Sequence, residues 1–402
     1  MISVLVVDDS AVVRRLIVDA IGSTSDIEVV GTAGNGRLAQ AKIDQLTPDI
    51  ITMDIEMPEM DGIQAVRELR KRHPRIPVIM FSTLSSAGAS ATLEALAAGA
   101  TDYVTKPSHM GSVAASIAAI RDQLIPRIHA LAGKRSPNRP IGPPPGSTIV
   151  PGRPGLNGGF RRPRTAPSAE RPAPPAGRPE TGAPTAAPTA SPVAPRPAGQ
   201  AAGRIDALAI GCSTGGPDAL TLVLQGLPTE LPVPVLVTQH MPPLFTKMFA
   251  ERLNRCTPLT VVEAGDAMTL KPGTVYIAPG DKHLVLVRRG TATLTQLSSA
   301  PPENSCRPAV DVMFRSLATV FGAAVYAVVL TGMGQDGKAG AQVLRAKGAE
   351  VLAQDEATSV VWGMPGAIVN AGLADAVLPL DRIAPALLAR VNVGRLVKAV
   401  TR

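Results

Sequence analysis

Residues 134–203 constrain the fold of this chain more than any other feature of its sequence. Eighteen of the 39 prolines lie between Pro137 and Pro197, and Phe160 is the only aromatic residue in the segment. A stretch of this composition cannot bury enough apolar surface to offset the entropy lost on ordering. We therefore predict a disordered, partly polyproline linker here, with globular domains at residues 1–133 and 204–402.

The same segment carries the excess positive charge of the chain. Residues 134–203 contain ten basic and two acidic residues, which accounts for the entire formal net charge of +8. The two predicted domains are therefore neutral in sum and lack the basic excess that is typical of nucleic-acid-binding domains. We expect no specific nucleic-acid partner.

The rest of the composition indicates a cytoplasmic protein. Apolar runs never reach the roughly 18 residues of a transmembrane helix, so no membrane insertion is expected. The chain reaches Asp8 and Asp9 after one short apolar run, which is unlike a secretory signal. Cys212, Cys256 and Cys306 are too few and too widely spaced for a disulfide framework or a zinc site.

Strand-like and helix-like patterns alternate in the first domain. This alternation predicts an α/β fold of flavodoxin-like type, a doubly wound parallel sheet in which the strand order is 2-1-3-4-5. Ser10 suits the N-cap of the first helix, with Val12 and Ile17 on its apolar face. The predicted strands are residues 3–7, 28–33, 49–53, 77–81 and 102–105.

Three carboxylates follow neighbouring strands of that sheet: Asp8 and Asp9 after the first, and Asp54 after the third. Clustered carboxylates are unfavourable unless a cation joins them, and hard oxygen ligands suit Mg²⁺. Ser82 and Lys106 end the fourth and fifth strands, where they could hold a transferred phosphoryl group. Helix caps and solvated turns are the plainer alternative, but five such groups at strand ends favour a site.

The stretches "VLVVDDS", "MDIEMPEMDG" and "YVTKP" resemble the receiver domain of bacterial two-component response regulators over residues 1–125. The resemblance implies that Asp54 accepts a phosphoryl group from a histidine kinase. It implies Mg²⁺ bound by Asp9, by Asp54, by the backbone carbonyl of Glu56 and, through water, by Asp8. It also implies three switch residues: Ser82, Tyr103 and Lys106.

The second domain is predicted to be a mixed α/β sheet that holds a second site. In "ALAIGCSTGGP", an apolar run ends in a glycine-rich turn, which either cradles a phosphate or presents Ser213 as a nucleophile. His240 and Asp336 also follow predicted strands, so a serine, a base and an orienting acid converge at one sheet edge. The predicted strands are residues 205–210, 233–238, 275–278, 284–287, 325–331 and 350–353.

Other interpretations of these residues remain open on the sequence alone. Ser213 could be a helix cap, His240 a core or surface histidine, and Asp336 a loop acid, which would leave a binding module without catalysis. Cys212 could replace Ser213 as the nucleophile. Residues 332–337 also fit G-x-G-x-x-G, with Asp355 about 20 residues further on, which is the pattern of a nucleotide-dependent oxidoreductase.

The wider pattern narrows the choice. "AIGCSTGGP", "VTQHMPPLFTKMFAERL", "RPAVDVMF", "VVLTGMGQDG" and "QDEATSVVWGMPGAIV" resemble the catalytic domain of chemotaxis protein-glutamate methylesterases over residues 204–395. The resemblance implies a Ser213, His240 and Asp336 triad, with Thr214 and the backbone near Met333 at the pocket and oxyanion hole.

That family also has a receiver domain, so the resemblance covers both ends of the chain. It implies hydrolysis of glutamate γ-methyl esters on methyl-accepting chemoreceptors with release of methanol, deamidation of receptor glutamines, and no cofactor for either reaction. It further implies that the unphosphorylated receiver covers the catalytic cleft. The linker, about 70 residues, is longer than expected for the family, and inhibition across such a tether weakens only slowly with its length.

Overall fold

The computed structural model describes residues 1–106, 112–132 and 203–395. The predicted linker, residues 134–203, lies outside the described residues except for its last position. In the part of the chain that is described, no helix is both long and apolar enough to cross a membrane.

The first domain is a five-stranded parallel sheet flanked by helices, with the strand order β2-β1-β3-β4-β5. The predicted fold and strand order are confirmed. Its strands are β1 (Ile2–Val7), β2 (Ile27–Ala33), β3 (Ile50–Asp54), β4 (Val78–Ser82) and β5 (Asp102–Thr105). Its helices are α1 (Ala11–Ile21), α2 (Gly36–Leu46), α3 (Gly62–Arg72), α4 (Ser86–Ala97) and α5 (Val113–Ala132).

The interior of this domain follows from strands that are apolar on both faces. All five residues of β3 are buried, because helices cover both sides of a doubly wound sheet. Helix α1 begins as predicted, with the Ser10 hydroxyl accepting a hydrogen bond from the Val13 N–H. The placement of Val12 on the buried face was wrong. Val12 is 70% exposed, because the buried stripe of α1 runs through Ile17, Ala20 and Ile21.

The second domain contains a seven-stranded sheet of order β14-β13-β12-β6-β7-β9-β8. Its strands are β6 (Ala207–Cys212), β7 (Val235–Gln239), β8 (Thr260–Glu263), β9 (Thr274–Ile277), β12 (Val325–Val329), β13 (Glu350–Gln354) and β14 (Ala376–Leu378). A separate antiparallel hairpin joins β10 (His283–Arg289) to β11 (Ala292–Ser298). Its helices are α6 (Gly216–Gln225), α7 (Phe245–Cys256), α8 (Val310–Phe321), α9 (Lys338–Ala346), α10 (Gly363–Asn370) and α11 (Leu380–Val391).

The prediction of an α/β domain is confirmed, but the prediction of a mixed sheet was wrong. Every pairing within the seven-stranded sheet is parallel. The segment 284–287, predicted to belong to the sheet, lies in the hairpin instead. Because β6, β7 and β12 are neighbours, the loops that follow them meet at one edge of the sheet.

Gly62, the first residue of α3, packs directly against the strand that carries Asp54. A Cβ at Gly62 would lie 2.1 Å from the Asp54 carbonyl oxygen, whereas a Cβ at Gly34 would meet nothing closer than the flexible end of Arg14 at 3.6 Å. We expect Gly62→Ala to lower the free energy of unfolding of the first domain by about 1–3 kcal/mol through overpacking. Gly34→Ala is the matched control, and thermal unfolding with hydrogen exchange measures both. Equal stability of the two variants would contradict the packing argument.

Candidate active site

Ser213 lies in the turn between β6 and α6, where several backbone groups hold it. Its N–H donates to the Thr331 carbonyl (3.0 Å), and its carbonyl accepts from the Gly216 N–H (2.8 Å) and from Gln239 Nε2 (2.9 Å). Gly215 has φ of +74°, which favours glycine, and a Cβ at Gly216 would lie 2.0 Å from Gln239 Oε1. The glycines thus allow the sharp bend that leaves Ser213 half-buried at the sheet edge.

His240 and Asp336 are brought into direct contact by the loops that follow β7 and β12. His240 Nε2 lies 2.8 Å from Asp336 Oδ2, and both side chains are largely buried, with exposures of 13% and 2%. In the neutral ring Nε2 therefore carries the hydrogen and donates a hydrogen bond to Asp336, which leaves Nδ1 as the basic nitrogen. Within the described residues the Ser213 hydroxyl makes no hydrogen bond to His240, and such bonds are often long before substrate binds.

The Asp336 carboxylate is held by the N-terminus of α8 as well as by His240. The backbone N–H of Val310 donates to Oδ2 (2.6 Å), while Oδ1 accepts from the N–H groups of Asp311 and Gly337 and from Asn304 Nδ2, each at 3.0 Å. Burial by itself raises the pKa of Asp336, but these hydrogen bonds and the His240 charge outweigh it, so the pKa is lowered. The carboxylate is ionised and fixed in orientation.

The opposite edge of the His240 ring faces a cysteine. Cys306 Sγ lies 3.6 Å from His240 Nδ1 and is half-buried. Burial lowers the pKa of His240, but the hydrogen bonds to Asp336 and Cys306 outweigh it and raise the pKa to about 9. The contacts with Asp336 and Cys306 therefore stabilise the protonated form of the ring relative to its neutral form.

Ser213 and His240 open onto a cavity of about 440 Å³. Thr214 and Met333, both predicted pocket residues, also line it. Within the described part of the chain, neither the Thr214 N–H nor the Met333 N–H has a hydrogen-bond acceptor, so both are free to meet a ligand oxygen. The far wall of the cavity comes from the first domain and includes Asp102, Tyr103, Gln123 and Arg127.

Contacts between the two domains lie beside this cavity. The Thr214 hydroxyl donates to Asp102 Oδ2 (2.7 Å), the oxygen that also receives Arg127 Nε (3.1 Å). Tyr103 stacks on Phe245 with ring centroids 5.0 Å apart and an interplanar angle of 5°. The predicted switch residue Tyr103 and the predicted pocket residue Thr214 are therefore both interface residues.

A third domain contact lies on α4 and α7. Arg252 Nη1 donates to the carbonyl of Leu93. Arg255, one turn further along the same helix, makes no hydrogen bond to the first domain among the described residues. Arg252 therefore forms a contact between the two domains at a point away from the cavity.

The predicted acidic cluster of the first domain is assembled at the ends of β1 and β3. Asp8, Asp9 and Asp54 each offer an oxygen within 4.8 Å of the others. Lys106 Nζ lies 2.7 Å from Asp54 Oδ2 and 3.3 Å from Asp8 Oδ2. Burial, and next the negative charge of Asp54, raise the pKa of Asp8 to about 6. The positive charge of Lys106 lowers this pKa but does not outweigh the other two effects.

The donor set fits a hard divalent cation. All three ligand groups are carboxylates, and Asp8 Oδ2 is buried and accepts no hydrogen bond in the described part of the chain, although the Lys106 ammonium is near. Glu56 is exposed on the rim of the adjacent cavity of about 190 Å³, which Ser82 also lines. The Ser82 hydroxyl donates to the Gly88 carbonyl at 3.1 Å. Ligation by Glu56 and the switch role of Ser82 stay predictions.

Residues 332–337, which fit the G-x-G-x-x-G pattern, include Asp336, and its carboxylate fills the place where a pyrophosphate would bind. The Asp336 carboxylate takes the Gly337 N–H and the first N–H groups of α8, so a pyrophosphate at this loop would meet a buried negative charge. Asp355 instead bonds the N–H and hydroxyl of Thr358. This arrangement disfavours the oxidoreductase hypothesis. Cys212 is fully buried, which disfavours it as the nucleophile.

Sequence reasoning missed Asn304, Cys306 and Asp102. Asn304 bridges Asp336 and Asp311, Cys306 contacts His240, and Asp102 bonds Thr214. The first two lie just before the "RPAVDVMF" motif, and that proximity was the only available signal. Asp102 begins a strand, and nothing in its sequence context indicates a contact 112 positions away.

Comparison with known proteins covers both domains. The family described as CheB methylesterase matches residues 208–387, and the family described as response regulator receiver domain matches residues 4–118. A protein named protein-glutamate methylesterase/protein-glutamine glutaminase from Nocardioides sp. is 50% identical over 97% of this chain and 95% of its own length. The protein of that name from Trichodesmium erythraeum is 42% identical over 97% of this chain and 99% of its own length.

One solved structure, the CheB methylesterase catalytic domain of Thermotoga maritima, is 43% identical and covers 46% of this chain and 98% of that chain, with a TM-score of 0.45. The family assignment rests on the two family matches and on the relatives that align over nearly the whole chain. This chain therefore belongs to the family of CheB methylesterases that carry a response regulator receiver domain.

Proposed function

We propose that this chain is a phosphorylation-activated protein-glutamate methylesterase and protein-glutamine glutaminase that acts on methyl-accepting chemoreceptors. In this proposal, residues 1–133 form the receiver domain and residues 204–402 form the hydrolase domain. One observation carries the proposal: the Ser213 turn and His240, which is hydrogen-bonded to Asp336, line one cavity at the edge of the second sheet. The names of the relatives that align over nearly the whole chain support the methylesterase and glutaminase reactions.

In the first step the Ser213 hydroxyl attacks the ester carbonyl carbon, and His240 Nδ1 takes its proton. Asp336 accepts a hydrogen bond from His240 Nε2–H throughout the reaction. This hydrogen bond fixes the tautomer of the ring and stabilises the imidazolium that forms. We propose that the N–H groups of Thr214 and Met333, two residues that line the cavity, receive the developing oxyanion. His240 returns the proton to the leaving oxygen, and methanol departs.

Water then repeats the sequence on the acyl-enzyme. His240 takes a proton from the water and returns it to Ser213 Oγ, which releases the glutamate carboxylate. A glutamine side chain follows the same path with ammonia as the leaving group. Both reactions use only side chains and backbone N–H groups of the second domain, so no cofactor is proposed for hydrolysis.

The receiver supplies the control. A histidine kinase is the proposed phosphodonor, and Asp54 Oδ2, beside the Lys106 ammonium, is the proposed acceptor. Asp8, Asp9 and Asp54 would hold Mg²⁺, which supplies charge neutralisation for the transferred phosphoryl group. Since Asp102 and Tyr103 of β5 contact Thr214 and Phe245, the unphosphorylated receiver restricts the hydrolytic cavity.

Removal of the orienting acid tests the catalytic assignment. We expect Asp336→Asn to lower kcat for methanol release by about 10³–10⁴-fold, because the amide no longer holds His240 in the active tautomer. Asp355→Asn is the matched control, since among the described residues that carboxylate accepts hydrogen bonds only from Thr358. Methanol release from methylated receptor measures both. A severe loss in Asp355→Asn with a silent Asp336→Asn would overturn the assignment.

The raised pKa of His240 predicts the pH dependence. Below a pKa of about 9 the ring is protonated and cannot accept the Ser213 proton, so kcat/KM should rise as the pH is raised from 7 towards 9. The rate with Ser213→Ala, measured at each pH, subtracts spontaneous ester hydrolysis. A profile that is flat above pH 7 would show that the catalytic base titrates at its ordinary value.

Weakening the contact between the two domains tests whether the receiver restrains the hydrolase. Arg252→Ala removes the hydrogen bond to the Leu93 carbonyl. Because a hydrogen bond from a charged group contributes about 1.5–3 kcal/mol, we expect its loss to raise the basal rate on the order of tenfold. Arg255→Ala is the matched control on the same helix. Basal and phosphodonor-stimulated rates are compared in both variants and in Asp54→Asn, which should lose stimulation. If Arg252→Ala has the basal rate of Arg255→Ala, this contact does not restrain the enzyme.

A further inference from the structure

Cys306 is placed beside His240 by a tight, well-anchored turn. Asn304 and Ser305 both have positive φ (+51° and +61°), and the N–H and carbonyl groups of Glu303 and Cys306 bond each other at 3.1 and 2.9 Å. Two central residues of positive φ define a type I′ turn, which is rigid. The position of the thiol is therefore set by the backbone.

Two side chains of the turn anchor it to the catalytic domain. Glu303 forms a bidentate ion pair with Arg315 of α8, with N–O distances of 2.7 and 2.5 Å. Asn304 Nδ2 donates to Asp311 and to Asp336, the partner of His240. The turn that carries Cys306 thus shares a hydrogen-bond network with the catalytic acid, so the thiol and the imidazole keep a fixed relation.

The result is a contiguous Cys306, His240 and Asp336 array. Asp336 accepts from one ring nitrogen at 2.8 Å, and the thiol lies 3.6 Å from the other. The same side chains occur in cysteine nucleophile sites, where an adjacent imidazole removes the thiol proton. Cys306 also lines the cavity that Ser213 opens into, so small reagents in that cavity meet both groups.

The other two cysteines lack this environment. Cys212 is fully buried under the Ser213 turn, and burial raises the pKa of its thiol. Cys256, the last residue of α7, is exposed, and no histidine contacts it among the described residues. Of the three thiols, Cys306 alone combines a neighbouring base with access from the cavity.

We propose that Cys306 is a redox modification site through which peroxides reversibly silence the hydrolase. In molecules whose His240 ring is neutral, Nδ1 takes the thiol proton, the thiolate sulfur attacks one peroxide oxygen, and the O–O bond breaks. The departing hydroxide takes the proton from His240, so that thiol and hydrogen peroxide become sulfenic acid and water. The added oxygen occupies the space beside Nδ1, which is the position that must receive the Ser213 proton.

The inference rests on the proposed function for its effect on activity but not for the modification itself. The full-length protein is treated with dilute hydrogen peroxide, and a cyclic dione that captures sulfenic acids is added for mapping by mass spectrometry. Methanol release is measured before treatment, after treatment, and after a thiol reductant. Reversal by the reductant separates this chemistry from sulfoxide formation at Met333, which a simple thiol does not reverse.

Each variant is compared with its own untreated rate. We expect wild type and Cys256→Ser to lose about tenfold or more and to recover with reductant, while Cys306→Ser changes less than about twofold. The dione adduct should lie on Cys306, and His240→Ala should form it more slowly. An adduct mainly on Cys256, or equal peroxide sensitivity of Cys306→Ser and wild type, would overturn the proposal. An adduct on Cys306 in a protein that never releases methanol would instead overturn the proposed function.

Discussion

The placement of the Asp336 carboxylate organises the catalytic domain. Five donors converge on its two oxygens, four of them fixed by the α8 N-terminus, the Gly337 turn and Asn304, and the fifth being His240. A buried charge of this kind is tolerated because backbone N–H groups solvate it. The imidazole is therefore aligned by a carboxylate that is held at both oxygens. Serine, histidine and acid, which follow β6, β7 and β12 along the chain, meet because those three strands are neighbours in the order β12-β6-β7.

Much of this arrangement was accessible from sequence because parallel sheets obey a simple rule. Apolar runs locate the central strands, and polar residues at their carboxyl ends converge wherever the strands are neighbours. From the sequence, that rule predicts Asp8, Asp9 and Asp54 at one sheet edge and Ser213, His240 and Asp336 at another, as the structure has them. It works because burial on both faces leaves those strands no alternative composition.

The rest was inaccessible for equally physical reasons. Edge strands β8 and β14 have only four and three residues and are largely half-buried, so any apolar run in them is too short to identify a strand. Strand β11 reads "ATLTQLS" and buries one residue of seven. Asn304, Cys306 and Asp102 act through contacts between distant positions, and the turn at 303–306 has positive φ without a glycine at either central residue. Local patterns do not encode such pairings.

Strand β5 has a geometric consequence for communication between the domains. Asp102, at its start, accepts a hydrogen bond from Thr214, the neighbour of Ser213, and Lys106, just past its end, forms an ion pair with Asp54. At about 3.3 Å per residue, the two ends are on the order of 13 Å apart along one extended segment. Because β5 is hydrogen-bonded to β4 within the sheet, we expect it to move as one stiff segment. Under the proposed control, a displacement of Lys106 on phosphorylation of Asp54 would therefore also shift Asp102 and its contact with Thr214.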